Sequence, residues 1–187
     1  KKTAGVDQMK IKLTNPRQIS QIMDNRARDL NDEKWKPLPV KRIYIPKPDG
    51  TKRPLGIPTQ YDKVVQVILN TILEVSVEHL IHRHKLGSYG FRKYHSTADA
   101  VNNLGVFARK GRNAIAIEAD ISKGFDQITH KFINTLMTGS VISNYVDQLL
   151  KAGHVEIDGQ LVTDTEGTPQ GGVISPTISN LVLRTIL

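Results

Sequence analysis

Apolar residues change their spacing several times along this 187-residue chain, and each change predicts an element. In "NPRQISQIMDNRARDL", from Asn15 to Leu30, Ile19, Ile22, Met23 and Leu30 recur near helical spacing, Asn15 is placed to cap and Pro16 suits a first turn. The stretch "KWKPLPVKRIYIPKPDGTKRPLGIPT" (34–59) holds two β-prone runs, "KRIYI" and "RPLGI", around a Pro-Asp-Gly turn signal, and reads as a hairpin. From Gln60 to Ile81, Val64, Val65, Val67, Ile68, Leu69, Ile72, Leu73, Val75 and Val77 are too dense for a one-sided stripe, which predicts a largely buried helix.

A loop rich in basic, histidine and aromatic residues follows, "HLIHRHKLGSYGFRKYH" (79–95), and then a helix from Ala98 to Lys110. "RNAIAIEADI" (112–121) reads as a strand, "HKFINTLM" and "SNYVDQLLKAG" as helices, and "HVEIDGQLVT" as a hairpin around Asp158-Gly159. "GTPQGGVISPTISNLVL" turns from a glycine-rich loop into a last helix. Strands and helices alternate without a repeated βαβ unit, so the fold class expected is α+β.

Composition fits a globular chain, with 39% hydrophobic and 24% charged residues. Twenty-six basic against eighteen acidic side chains give +8 and a pI near 9.7, which favours polyanion partners without deciding for them. Seven basic residues (34, 36, 41, 42, 47, 52 and 53) and a single acidic one, Asp49, fall between Lys34 and Arg53, so the hairpin carries a dense positive field. No window is expected to reach the ~20 apolar residues of a membrane span, and "KKTAGVDQMK" has no apolar signal core. Zero cysteines exclude disulfides and thiolate metal sites, but do not separate bacterial cytosol from an organellar matrix.

The chemistry-bearing stretch is "IEADISKGFDQITH" (117–130). On a strand, Ile115, Ile117, Ala119 and Ile121 face one way while Ala116, Glu118 and Asp120 face the other, presenting carboxylates to a hard divalent cation. An EF-hand reading fails: counted from Asp120, position 5 is Gly124, position 6 is Phe125 and position 12 is Lys131, where the loop needs an oxygen ligand, a glycine and a glutamate. An edge-strand aspartate with a capping partner and the floor of a metal-dependent site both remain open on this strand alone.

Four blocks in order, "IPKPDGTKRPLGIPT" (45–59), "SYGFR" (88–92), "EADISKGFDQITH" (118–130) and "GTPQGGVISP" (167–176), together resemble the fingers and palm of reverse transcriptases encoded by group II introns. The resemblance implies a right-hand polymerase, with residues 1–110 as N-terminal extension and fingers and 111–187 as partial palm. It implies that Asp120, with the Ile121 carbonyl, ligates catalytic magnesium ions, two of which activate a 3′-hydroxyl and stabilise leaving pyrophosphate. It further implies Phe125 as a steric gate under the incoming sugar, Lys47 and Arg53 as the triphosphate clamp, and Gln170 with Gly171 beside the nucleotide. Asp126 and His130 are expected to be structural. Lys41, Arg42, Lys52, Arg92 and Lys93 are expected to contact RNA backbone.

Three departures stand out. "RKYHS" replaces the frequent Arg-Pro-x-Arg-Ser, and Gln8 stands in "AGVDQ" where glycine is frequent. The Tyr-x-Asp-Asp motif does not occur before Leu187, so the chain alone is expected to be inactive, and self-association or a complementing chain carrying the remaining palm is expected. The implied partners are an intron RNA template, a DNA primer and deoxynucleoside triphosphates. The alternative is a maturase that binds intron RNA and keeps the polymerase residues as scaffold.

Overall fold

The computed structural model describes residues 3–10, 15–84, 87–109, 118–122, 124–168 and 171–186. Helix α1 (Pro16–Asn31) begins where the sequence signals it, with the Asn15 side chain accepting from the Arg17 N–H at 2.9 Å and Pro16 in the first turn. Strands β1 (Val40–Pro46) and β2 (Lys52–Ile57) form the expected hairpin, registered from Lys41↔Ile57 to Pro46↔Lys52. Helices α2 (Gln60–Arg83), α3 (Thr97–Arg109), α4 (His130–Leu136) and α5 (Ser143–Lys151) follow. A second hairpin, β3 (His154–Val155) and β4 (Leu161–Val162), precedes α6 (Ser175–Leu183).

The two hairpins join in one sheet of order β2-β1-β3-β4, with β1 and β3 parallel through Val40↔His154 and Lys41↔Val155. Packing therefore runs across the 110/111 division. The core does the same: Val65, Leu69, Leu73, Val77 and Ile81 of α2 meet Ile133 of α4, Val146 and Leu150 of α5, and Ile178 and Leu181 of α6. Gly153 makes the turn from α5 into β3 at φ +68°, where a Cβ would stand 2.2 Å from the Val162 carbonyl oxygen.

Two expectations need correction. Helix α2 is one-sided: its buried positions are Asp62, Val65, Gln66, Leu69, Leu73, Val77 and Ile81, a three-to-four spacing, while Val67, Ile72 and Val75 are exposed, Val75 by 70%. β-Branched residues on the outer face mask the stripe in the sequence. The same composition makes α2 long and apolar enough to cross a membrane, contrary to the expectation that no window qualifies, although its inner face builds the core of this fold.

The strand expected over 112–121 lies mostly outside the described residues, and 118–121 carry no strand assignment. Helix α3 buries none of its residues; Val101, Leu104 and Phe107 are exposed.

One buried polar cluster fastens the start of α2. Thr59 caps the helix by accepting from the Asp62 N–H at 3.0 Å. The Asp62 carboxylate in turn accepts from Thr59 Oγ1 (2.7 Å), Trp35 Nε1 (3.2 Å) and the Leu38 N–H (3.3 Å). Trp35 stacks obliquely on Tyr145, whose hydroxyl donates to the Leu30 carbonyl. The segment between α1 and β1 is thus tied to both α2 and α5.

Candidate nucleotide-binding site

Sheet alternation gives the first hairpin two faces. Lys41, Ile43, Ile45, Arg53, Leu55 and Ile57 share one; Arg42, Tyr44, Pro54 and Gly56 share the other. Lys47 sits just past β1, where its backbone N–H donates to the Thr51 carbonyl at 2.8 Å and so narrows the tip. Lys41, Lys47, Lys52 and Arg53 are exposed. Lys47 and Arg53, which the resemblance implies as a triphosphate clamp, therefore stand at the outer end of the hairpin.

The glycine-rich loop meets this hairpin at the outer edge of β2. Gly171 has φ +104°, and a Cβ there would lie 2.6 Å from the Gly56 carbonyl oxygen and 2.8 Å from Leu55 Cδ1. Only glycine fits this approach, two residues from Arg53. Further along, the Val173 N–H donates to Gln66 Oε1 of α2 at 2.7 Å, which fixes the exit of the loop. Gln170 lies outside the described residues.

A Gly171→Ala replacement is accordingly expected to destabilise the protein by about 2–3 kcal/mol, combining an unfavourable backbone conformation with a backbone clash. Denaturant unfolding measures it, and a loss below about 0.5 kcal/mol would contradict the contact.

The loop is also stitched to the carboxylate block. The Thr168 N–H donates to the Phe125 carbonyl at 2.6 Å and the Gly167 N–H to the Ile128 carbonyl at 2.7 Å, while Thr129 and Glu166 form an isolated antiparallel bridge. His130, buried at the start of α4, donates its backbone N–H to the Thr165 carbonyl and sets Nε2 2.9 Å from the Gly167 carbonyl oxygen. These two bonds fasten the start of α4 to the 165–167 segment. Asp126 packs its backbone against Gly167 and borders the cavity beneath the sheet.

Phe125 meets Phe91 of the "SYGFR" loop edge-on, ring centroids 6.4 Å apart. Asn180 Nδ2 of α6 donates to the Gly90 carbonyl at 3.0 Å, closing the circuit. Asp120 and Ile121 are exposed on the irregular segment that leads into Gly124 and Phe125, and Glu118 is exposed beside them.

Three of the basic residues expected to face RNA are held by partners inside the fold. Arg92 makes a two-pronged pair with Glu78, with Nε to Oε2 at 3.0 Å, and also donates to the Ser88 carbonyl; its side chain is 9% exposed. These hydrogen bonds hold the Glu78 carboxyl below its ordinary range and raise the Arg92 guanidinium. Lys93 Nζ lies 2.5 Å from Glu74 Oε2, though it stays largely solvated. Arg42 is tucked against His154 and Glu156. Their sequence neighbours gave only charge, and the carboxylates that claim them are 14 or more residues distant in the chain.

Among the described residues, no three His, Asp or Glu side chains gather so as to hold a metal ion. Asp120 with the Ile121 carbonyl does not by itself fit the two-magnesium site that the sequence resemblance implies.

Comparison with known proteins identifies the family. The family model described as reverse transcriptase (RNA-dependent DNA polymerase) matches residues 45–187. The chain is 33% identical over 189 residues to Protein YkfC of Escherichia coli (strain K12), covering 97% of this chain and 48% of that protein. It is 36% identical over 160 residues to the group II intron-encoded protein LtrA of Lactococcus lactis subsp. cremoris, covering 83% of this chain and 26% of that one. A putative COX1/OXI3 intron 1 protein of Saccharomyces cerevisiae is 31% identical over 169 residues, 88% of this chain and 20% of the relative. The chain thus spans about half, or less, of the length of these relatives. Among solved structures, a chain of the partial Cas6-RT-Cas1--Cas2 complex shares the fold at a TM-score of 0.51 and 20% identity, over 97% of this chain and 31% of that one. With three quarters of its length matched by the family model and its four sequence blocks in mutual contact, this chain belongs to the reverse transcriptase family.

Proposed function

We propose that the protein carrying this chain is an RNA-directed DNA polymerase of a mobile group II intron that also assists splicing of the intron RNA. Its template is intron RNA, its primer is DNA and its substrates are deoxynucleoside triphosphates. The observation that carries this reading is convergence: Phe91, Phe125, Thr168, Gly171 and the Leu55–Gly56 edge beside Arg53 form one continuous chain of contacts, although they come from four separate blocks.

In this reading Lys47 and Arg53 hold the triphosphate, Arg53 through its two-pronged fork and Lys47 as a mobile point charge. Phe125 and Gln170 border the sugar, and the closeness of Gly171 to β2 leaves room beside the clamp. Lys41 and Lys52 face the RNA backbone. Magnesium is the cofactor the family implies, and Asp120 is the carboxylate this chain offers it.

The clamp is tested by steady-state primer extension on RNA with the protein that carries this chain. Lys47→Ala and Arg53→Ala are each expected to raise the KM for deoxynucleotide by about 10–100-fold, the scale of a lost charge-assisted phosphate contact. An unchanged KM in both would remove the hairpin from the nucleotide site.

A further inference from the structure

Beneath the face of the sheet opposite Arg53 lies a cavity of about 300 Å³ lined by Arg42, Tyr44, His154, Glu156, Asp164 and, from the loop below, Asp126 and His130. Its upper wall is a connected polar cluster. The Tyr44 hydroxyl donates to both Glu156 oxygens, at 3.0 and 3.1 Å. His154, nearly buried, sets Nε2 3.1 Å from Glu156 Oε1, and its Nδ1 lies 3.0 Å from both Arg42 Nη2 and Asp164 Oδ2. Nδ1 serves one of these at a time: as a lone pair it accepts from Arg42, as an N–H it donates to Asp164.

The placement of this cluster is what gives it consequence. Parallel pairing between β1 and β3 stops after Val40↔His154 and Lys41↔Val155. Lys47 is six residues beyond the last rung, or about 20 Å at ~3.3 Å per residue. A rotation of only about 10° at that junction displaces the tip by roughly 3.5 Å, and misplacements near 1 Å are enough to lose about a hundredfold in a site of this kind. Two rungs resist such rotation weakly. Arg42 and Tyr44, on the first strand beyond them, are bonded to β3 and its continuation.

We propose that Arg42, Tyr44, His154 and Glu156 are positioning residues that set the angle of the clamp-bearing hairpin against the Gly171 loop, and so determine nucleotide affinity without touching the nucleotide. This rests on the reading of Lys47 and Arg53 as the triphosphate clamp. Stability alone does not account for the cluster: Glu156 and Asp164 keep access to water, and ion pairs with such access contribute little to stability.

The test is primer extension on RNA by the protein that carries this chain, with Arg42→Met, which keeps the stem and removes the fork. The KM for deoxynucleotide is expected to rise about tenfold with kcat within about twofold of the parent. A role confined to folding would instead lower the active fraction, and with it kcat, at unchanged KM; that result, or parent values for both constants, overturns the inference. Lys47→Ala is run beside it. If Lys47→Ala raises KM and Arg42→Met does not, the positioning role falls and the clamp stands; if neither does, the clamp reading falls with it. Should Arg42→Met fail to fold, Tyr44→Phe decides, since it removes a single partly exposed hydroxyl: a rise of about threefold in KM supports the role, and an unchanged KM overturns it.

Discussion

Replacing Asp62 by alanine is expected to lower the stability of this protein by about 3–5 kcal/mol, among the largest losses any single side chain here should produce. The carboxylate is 4% exposed and accepts from Trp35 Nε1, Thr59 Oγ1 and the Leu38 N–H. Alanine strands those donors in a place water does not readily reach, at roughly 1–3 kcal/mol for each group left unsatisfied. It also frees the segment that leads from α1 into the hairpin. Denaturant unfolding measures the loss, and a cost under about 1 kcal/mol would show that the three donors find other partners.

The same residue gives a pH signature with a definite sign. Burial is the dominant influence on Asp62 and raises its carboxyl above the ordinary 3.8, against the opposing hydrogen bonds from Thr59, Leu38 and Trp35. A raised folded value means that the folded state binds the proton more tightly than the unfolded chain. Stability from this group is therefore fully present below 3.8 and declines as pH climbs through the raised value. Unfolding free energies of parent and Asp62→Asn, compared over a pH series starting near 3.8, should show the parent losing its relative advantage as pH rises; a growing advantage would contradict the sign.

Local chemistry made most elements legible in the sequence. Asn15-Pro16 announces α1, Pro-Asp-Gly the first hairpin and Asp158-Gly159 the second, because each is a short-range device that works wherever the chain carries it. Gln8 is instructive in the same way: it adopts φ +54°, the left-handed conformation in which glycine costs least, so the frequent glycine at this point of the family pattern has a backbone reason. Thr59-x-x-Asp62 is a readable capping pattern, and it marks the cluster at the head of α2.

What was not legible depends on distance along the chain. The β1–β3 pairing joins residues more than a hundred positions apart through only two rungs, and nothing local in "HVEID" names its partner. Alternation alone would have placed His154 and Glu156 on one face, and Arg42 and Tyr44 on one face of their own strand. It gives no sign that the two faces meet. The one-sidedness of α2 was hidden for a different reason: valine and isoleucine on its outer face carry the same hydrophobic signal as those that pack inside.

The proposed polymerase activity turns on Asp120. Its carboxylate stands exposed on the segment leading into Phe125, and it is the position that the sequence resemblance assigns to metal binding. Developing charge in phosphoryl transfer is stabilised by fixed opposing charge, and removing the carboxylate that recruits it is expected to cost at least about a thousandfold in rate. The decisive measurement is RNA-templated primer extension by the protein that carries this chain, parent against Asp120→Ala, with folding checked by denaturant unfolding. Synthesis should fall to background in a variant as stable as the parent within about 1 kcal/mol; undiminished synthesis by a folded Asp120→Ala protein would contradict the account.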